Sequence, residues 1–183
     1  LGGAYQRQNA ALAIRTAMLL AEKHRAVTHE TIARALKSVA WPGRFERFTL
    51  EGVRIVVDGA HNPAGAAALR ESLDATFAGE KRVLLLGILE DKDYRAMLRT
   101  LVRADDRVVI TPPDSARAGD PENLARVARE ITQEVEVVPA ADAALSRALD
   151  RADGRRILCA AGSLYLIGNL RRLLLERGAH HDG

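Results

Sequence analysis

The sequence predicts an α/β fold: a mostly parallel sheet with helices on both faces, Rossmann-like, preceded by a short helical piece. Three observations predict it. From Val53 onward, short apolar runs alternate with segments of helical periodicity. The runs are continuously apolar, as in strands buried on both faces. Polar and Gly-rich residues gather at their C-terminal ends, where open α/β sheets bind ligands. With 183 residues, 48% of them hydrophobic, the chain can bury a sizeable core.

The elements follow in order. Asn9 to Lys23 reads as a helix, with Ala13, Ala17 and Leu20 on one stripe. Thr28 is a cap for a second helix, with Thr31 three residues on. Trp41-Pro42-Gly43 breaks that helix and sets a domain boundary. Arg44 to Leu50 and Val53 to Val57 form a hairpin around Glu51-Gly52. The alternation then runs helix 64–77, strand 83–88, helix 93–103, strand 108–111, helix 121–132, strand 135–138, helix 141–152, strand 157–161 and helix 163–177. Residues 179–183, including His180-His181, read as a frayed tail. His24 and His29 read as surface residues of the leading helices.

The segment richest in chemistry is Asp58-Gly59-Ala60-His61-Asn62-Pro63. An apolar strand stops at an acid, and two small residues and a histidine follow. Asn62 then caps a helix with Pro63 in its first position, where the missing N–H costs nothing. The free N–H groups of that helix end favour an anion. Asp58 and His61 share the crevice, which suits a phosphate-bearing ligand; an ordinary capped βα turn with both side chains solvated accounts for the pattern equally well.

Three further segments lie at the same edge. Pro42-Gly43 orients Arg44, whose planar guanidinium suits phosphate or ribose oxygens. Taken alone, that segment reads as a surface Arg paired with Glu46. In Asp91-Lys92-Asp93, Asp93 caps the next helix and Lys92 is within reach of a carboxylate or phosphate. Gly162-Ser163 follows the last strand; Ser163 fits a helix cap that also faces the crevice. No G-x-x-x-x-G-K-[ST] segment is present, so any ATP handled here needs its phosphates cradled by another domain.

Composition narrows the classes. The net charge of +3 comes from 27 basic and 24 acidic residues spread along the chain, and aromatics are 4%. That argues against a nucleic-acid partner, which needs a basic stripe or stacking platforms. No apolar run approaches the roughly 20 residues of a membrane span, so no membrane partner is expected. No signal-peptide pattern appears at the N-terminus, and the chain begins at Leu1 rather than Met. Cys159, the single cysteine, lies in an apolar run and fits a reducing, cytoplasmic setting. No histidine pair has metal-site spacing, and no metal ligand is assigned to this chain.

Asn9-Ala10-Ala11, Trp41-Pro42-Gly43-Arg44, Asp58-Gly59-Ala60-His61-Asn62-Pro63 and Gly162-Ser163-Leu164-Tyr165, in that order, resemble the C-terminal part of folylpolyglutamate synthase/dihydrofolate synthase. This family belongs to the Mur ligase superfamily. The resemblance runs from about residue 1 to about residue 178. Peptidoglycan ligases share the Pro-Gly-Arg and a variant of the His-Asn-Pro turn, so the Asp-Gly-Ala-His-Asn-Pro form points to the folate branch.

The resemblance implies an ATP-dependent ligase that activates a folate or dihydropteroate carboxylate as an acyl phosphate. L-Glutamate then attacks to form an amide. It implies residues 1–40 as the last helices of a central ATP-binding domain and 41–178 as the C-terminal glutamate-ligase domain. Most of the Mg2+ site and the P-loop would belong to that central domain, without which the chain would be inactive. Asn9 matches an adenine contact, Arg44 a nucleotide phosphate or ribose contact, and Asp58 a ribose contact. His61 and Ser163 match residues beside the incoming glutamate, and His61 is the candidate catalytic residue. One departure stands out: the family usually has His-Gln near the start of the leading helix, where this chain has Tyr5-Gln6. Little weight falls on Tyr5 for that reason; Gln6 is a candidate contact. The rival expectations are a peptidoglycan-type amino-acid ligase domain and a stand-alone nucleotide- or amino-acid-binding module.

Overall fold

A computed structural model describes residues 2–23 and 27–182. His24 lies outside the described residues. Helix α1 (Ala4–Ala21) begins five residues before the expected Asn9 and has no side-chain cap at Gly3. Helix α2 (His29–Ser38) starts with the expected capping box, in which Thr28 and Thr31 each bond the other's backbone N–H. His29 is exposed, as expected.

The hairpin pairs β1 (Glu46–Leu50) with β2 (Val53–Val57) in register, Leu50 opposite Val53. Glu51 and Gly52 both take positive φ, the two-residue turn whose twist matches the strands. The remaining elements are α3 (Pro63–Thr76), β3 (Arg82–Leu86), α4 (Tyr94–Leu101), β4 (Arg107–Ile110), α5 (Pro121–Arg129), β5 (Val135–Val137), α6 (Ala141–Ala152), β6 (Ile157–Ala161), α7 (Leu164–Glu176) and β7 (His180–His181). Every helix and strand expected from the sequence is present, with ends moved by a few residues.

The strand order is β5-β4-β3-β6-β2-β1-β7. β2 to β6 are parallel; β1 and β7 are antiparallel additions at one edge. Each central strand splits its side chains between two cores. Val56, Leu84, Leu86, Val108 and Cys159 pack with α3, α4 and α5. Val57, Val83, Leu85, Val109 and Leu158 pack with α6 and α7 on the other face. β3 is buried at all five positions, which explains the apolar run Val83 to Leu86, while Arg82 at its start pairs with Asp74.

The tail departs from expectation. Rather than fraying, His180–His181 pairs with Phe48 and Thr49 of β1. Asp182 accepts a hydrogen bond from the Thr49 hydroxyl at 2.8 Å. The physical reason is the open edge of β1, whose unpaired backbone groups recruit the passing chain.

β6 lies between β3 and β2 although it comes last of the three in sequence. The strand order reverses there: the helices after β2 and β3 cover one face and the helix after β6 covers the other, which leaves a crevice at the C-terminal ends of these parallel strands. Asp58, Gly87 and Gly162 mark that crevice.

Candidate functional site

Two cavities open at this edge. The first, about 210 Å³, lies between α1 and the β2–α3 turn and is lined by Tyr5, Gln6, Asn9, Trp41, Arg44 and Asp58, with small residues behind them. Asp58 sits at its base, 2% exposed. Its Oδ1 accepts from the Ala60 N–H at 2.8 Å. Its Oδ2 accepts from the Phe45 N–H at 2.7 Å and from the Tyr5 hydroxyl at 2.6 Å.

Burial pushes the Asp58 carboxyl up from its ordinary range, while these three bonds and the nearby Arg44 charge pull it back. Burial and the Asp58 charge push the Tyr5 phenol up, so it stays protonated and donates.

Backbone strain helps set this geometry. Phe45 is buried with φ 48°, a left-handed value that is an outlier for a bulky side chain. Its N–H thereby faces Asp58. Just before it, the Gly43 carbonyl accepts from the Gly59 N–H at 2.7 Å, tying the 41–44 segment to the turn after β2.

The pairing of Arg44 with Glu46 does not occur. Glu46 is buried and accepts from the Gly43 N–H at 2.7 Å and from Arg171 Nε at 3.0 Å. Arg171 reaches it from α7 and competes successfully, because Arg44 points across the turn instead. Arg44 lines the cavity beside Asp58 and makes no ion pair with another described residue.

The second cavity, about 470 Å³, is lined by His61, Leu89, Lys92, Arg117, Ser163 and Tyr165, among others. His61 Nδ1 lies 2.8 Å from the Gly59 carbonyl oxygen. A carbonyl only accepts, so Nδ1 carries the proton and a neutral ring keeps Nε2 as an acceptor. Ser163 is 1% exposed and caps α7 by accepting from the Tyr165 N–H at 3.2 Å. Lys92 Nζ lies 2.9 Å from Asp91, Arg117 Nη1 lies 3.5 Å from it, and the Arg117 guanidinium stands over the Tyr165 ring. The expected cap roles of Asn62 and Asp93 are both present, at 2.7 Å and 3.0 Å.

Asn9, Arg44 and Asp58 thus meet in the first cavity, and His61 and Ser163 in the second. Sequence reasoning gave Tyr5 little weight, yet it bonds Asp58 directly. Arg117 was missed altogether. Its loop comes over the crevice through a bridge between Leu89 and Ala118 and a bond from the Glu90 N–H to the Arg117 carbonyl, neither of which has a sequence signal. Among the described residues, no three His, Cys, Asp or Glu side chains gather to hold a metal. No described helix is long and apolar enough to cross a membrane.

Chemically, the first cavity offers a carboxylate, a phenol and a guanidinium between apolar walls. This suits a polar ligand with hydroxyl groups and anionic oxygens. The second offers two cations and a helix N-terminus, which suit carboxylates, around an imidazole nitrogen.

Comparison with known proteins gives a consistent assignment. The chain is 36% identical to a probable bifunctional folylpolyglutamate synthase/dihydropteroate synthase of Haloferax volcanii, across 92% of this chain and 20% of that protein. It is 34% identical to the folylpolyglutamate synthase of Lacticaseibacillus casei, across 96% of this chain and 40% of that one. Its fold superposes on the Mycobacterium tuberculosis folylpolyglutamate synthase complexed with ADP with a TM-score of 0.85 at 30% identity, covering 100% of this chain and 42% of that one. The chain therefore spans between a fifth and about two fifths of the length of these proteins. The family model described as Mur ligase, glutamate ligase domain, matches residues 43–164. The chain belongs to the Mur ligase family.

Proposed function

We propose that this chain is the C-terminal part of an ATP-dependent ligase that adds L-glutamate to a folate or dihydropteroate carboxylate. The observation that carries the reading is the turn after β2. It puts Asp58 at the base of one cavity and His61 on the wall of the other, five residues from strand to helix cap. One turn thereby couples a pocket that holds a carboxylate, a phenol and a guanidinium to one lined by two cations and an imidazole.

In this reading residues 1–40 are the end of a central ATP-binding domain and 41–178 the glutamate-ligase domain. The exposed apolar side chains of the first leading helix, Leu12, Leu19 and Leu20, support a covered face there. The P-loop and most of the Mg2+ site would come from the central domain. The metal supplies charge neutralisation for phosphoryl transfer.

This chain's residues do the rest. Asn9 reads the adenine, Asp58 accepts from the ribose, and Arg44 reaches the phosphate oxygens. The substrate carboxylate attacks the γ-phosphorus, forming an acyl phosphate and releasing ADP. The glutamate amine then attacks the acyl carbon, and phosphate leaves. His61 presents Nε2 to that amine, while Ser163 and the α7 N-terminus hold a glutamate carboxylate. Closure of the two domains excludes water that would hydrolyse the acyl phosphate. In this reading the chain is inactive alone and the ligase works in the cytoplasm.

The test is a glutamate-dependent ADP-release assay on the ligase containing this chain and its P-loop domain. His61→Ala is expected to raise KM for glutamate by about tenfold or more, the effect of losing one buried polar contact. Its KM for ATP is expected to stay unchanged. Unchanged glutamate dependence in His61→Ala overturns the His61 role. Turnover with muramoyl-peptide acceptors but not folates or dihydropteroate overturns the folate assignment.

A further inference from the structure

We propose that Tyr5 is a sugar-reading residue of the first cavity: with Asp58 it forms a two-point acceptor for the vicinal hydroxyls of a ribose. The inference rests on the nucleotide reading above and deepens it. Tyr5 was discounted because the resembling family carries a different residue at this place. The geometry gives it a definite task.

A carboxylate has roughly four lone-pair sites. The chain itself fills three of those of Asp58, one at Oδ1 and two at Oδ2. A single acceptor site, at Oδ1, is left for a ligand, and a vicinal diol brings two donors. The second acceptor is the Tyr5 oxygen. Its proton is spent on Oδ2 at 2.6 Å, so its lone pairs are what it can offer the cavity it lines. Burial and the adjacent carboxylate keep the phenol protonated, so this polarity does not reverse at neutral pH. Asp58 and Tyr5 together repel phosphate, which offers only acceptors, and select hydroxyl donors. Arg44, on the same cavity, takes the phosphate side.

Tyr5 is placed for this purpose by close packing. A Cβ on Gly2 would lie 2.8 Å from the Phe45 carbonyl oxygen. The glycine lets the start of α1 press against the 43–45 segment, and the first turn of the helix then delivers Tyr5 to a carboxylate 53 residues away.

The test is steady-state kinetics of the P-loop-containing ligase with ATP, 2′-deoxyATP and 3′-deoxyATP, comparing wild type, Tyr5→Phe and Asp58→Asn. Tyr5→Phe removes one oxygen and retains the ring, and an unchanged unfolding midpoint shows that the fold is intact. Tyr5→Phe is expected to raise KM for ATP about tenfold with kcat within about twofold. It is expected to abolish the penalty of one deoxy analogue and keep that of the other. Equal loss for all three nucleotides means Tyr5 acts only by holding Asp58, and overturns the proposal. A lower KM for ATP means the phenol competes with ribose, and also overturns it. In both cases ATP dependence survives and the nucleotide reading stands. A wild-type enzyme indifferent to adenine nucleotides overturns that reading and this one together.

Discussion

The turns after β2 and β6 begin alike and end alike, yet they do different work. Both leave parallel, paired strands at the same sheet edge, and both enter a helix through a side-chain cap. The β2 turn uses five residues, 58–62, and carries an acid and an imidazole. The β6 turn uses two, Gly162 and Ser163, and carries a single hydroxyl. They are tied together by the Gly162 N–H donating to the Ala60 carbonyl at 2.9 Å. The difference teaches that the site needs one connection long enough to present side chains and a neighbour tight enough to stay out of their way.

The largest expected effect comes from breaking the tight turn. Gly162 has φ 114°, and a Cβ there would lie 2.7 Å from the Gly87 carbonyl oxygen and 2.8 Å from an Ile88 carbon. Backbone strain and overpacking both apply, because the clashing atom is main chain rather than a flexible tip. Gly162→Ala is expected to destabilise the fold by about 3 kcal/mol or more. Ala60→Gly in the longer turn is expected to cost no more than about 1 kcal/mol. Denaturant unfolding of both variants measures the contrast; equal losses would show that the β6 turn has room to yield.

A smaller effect concerns the acid that only the long turn carries. Burial raises the folded-state pKa of Asp58 above its ordinary 3.8, so the folded chain holds that proton more tightly than the unfolded chain does. Its contribution to stability is fully present below that ordinary value and is lost as pH rises through the folded value. Asp58→Asn does not titrate. The stability of wild type relative to Asp58→Asn is therefore expected to fall as pH climbs from about 3.8 upward. Asp106, also raised by burial, is common to both proteins and cancels. Unfolding free energies over that pH range check the sign, and a rising difference would mean that the three hydrogen bonds outweigh burial.

The same contrast separates what was legible in the sequence from what was not. Asp58, Asn62 and Pro63 were legible because strand end, cap and first helical residue are local chemistry. Ser163 and Asp93 were legible as caps for the same reason. Tyr5 was obscured because its role depends on contact with a residue 53 positions away, and α1 starts at Gly3 without any side-chain cap to announce it. Arg117 lies in a loop with no periodicity, brought to the cavity by backbone bonds to the 89–90 segment. The insertion of β6 between β3 and β2 was likewise invisible, since any buried parallel strand presents the same apolar run. The edge pairing of His180–His181 depends on an open strand at the far end of the chain.

The smallest effect sharpens the comparison at the caps themselves. Asn62 is exposed and accepts from the Gly65 N–H at 2.7 Å; Ser163 is buried and accepts from the Tyr165 N–H at 3.2 Å. Removing either cap exposes an orphan helix donor, so Asn62→Ala and Ser163→Ala are each expected to cost about 1 kcal/mol of stability. Function should divide them. Asn62 points to solvent at the rim, whereas Ser163 lines the cavity with His61, Lys92 and Arg117. In the P-loop-containing ligase, Ser163→Ala is therefore expected to raise KM for glutamate several-fold, by about the worth of one hydrogen bond to a charged group. Asn62→Ala, matched in stability, should leave that KM within about twofold. Equal kinetic losses would mean that α7 and α3 merely need to be capped, and that Ser163 touches no substrate.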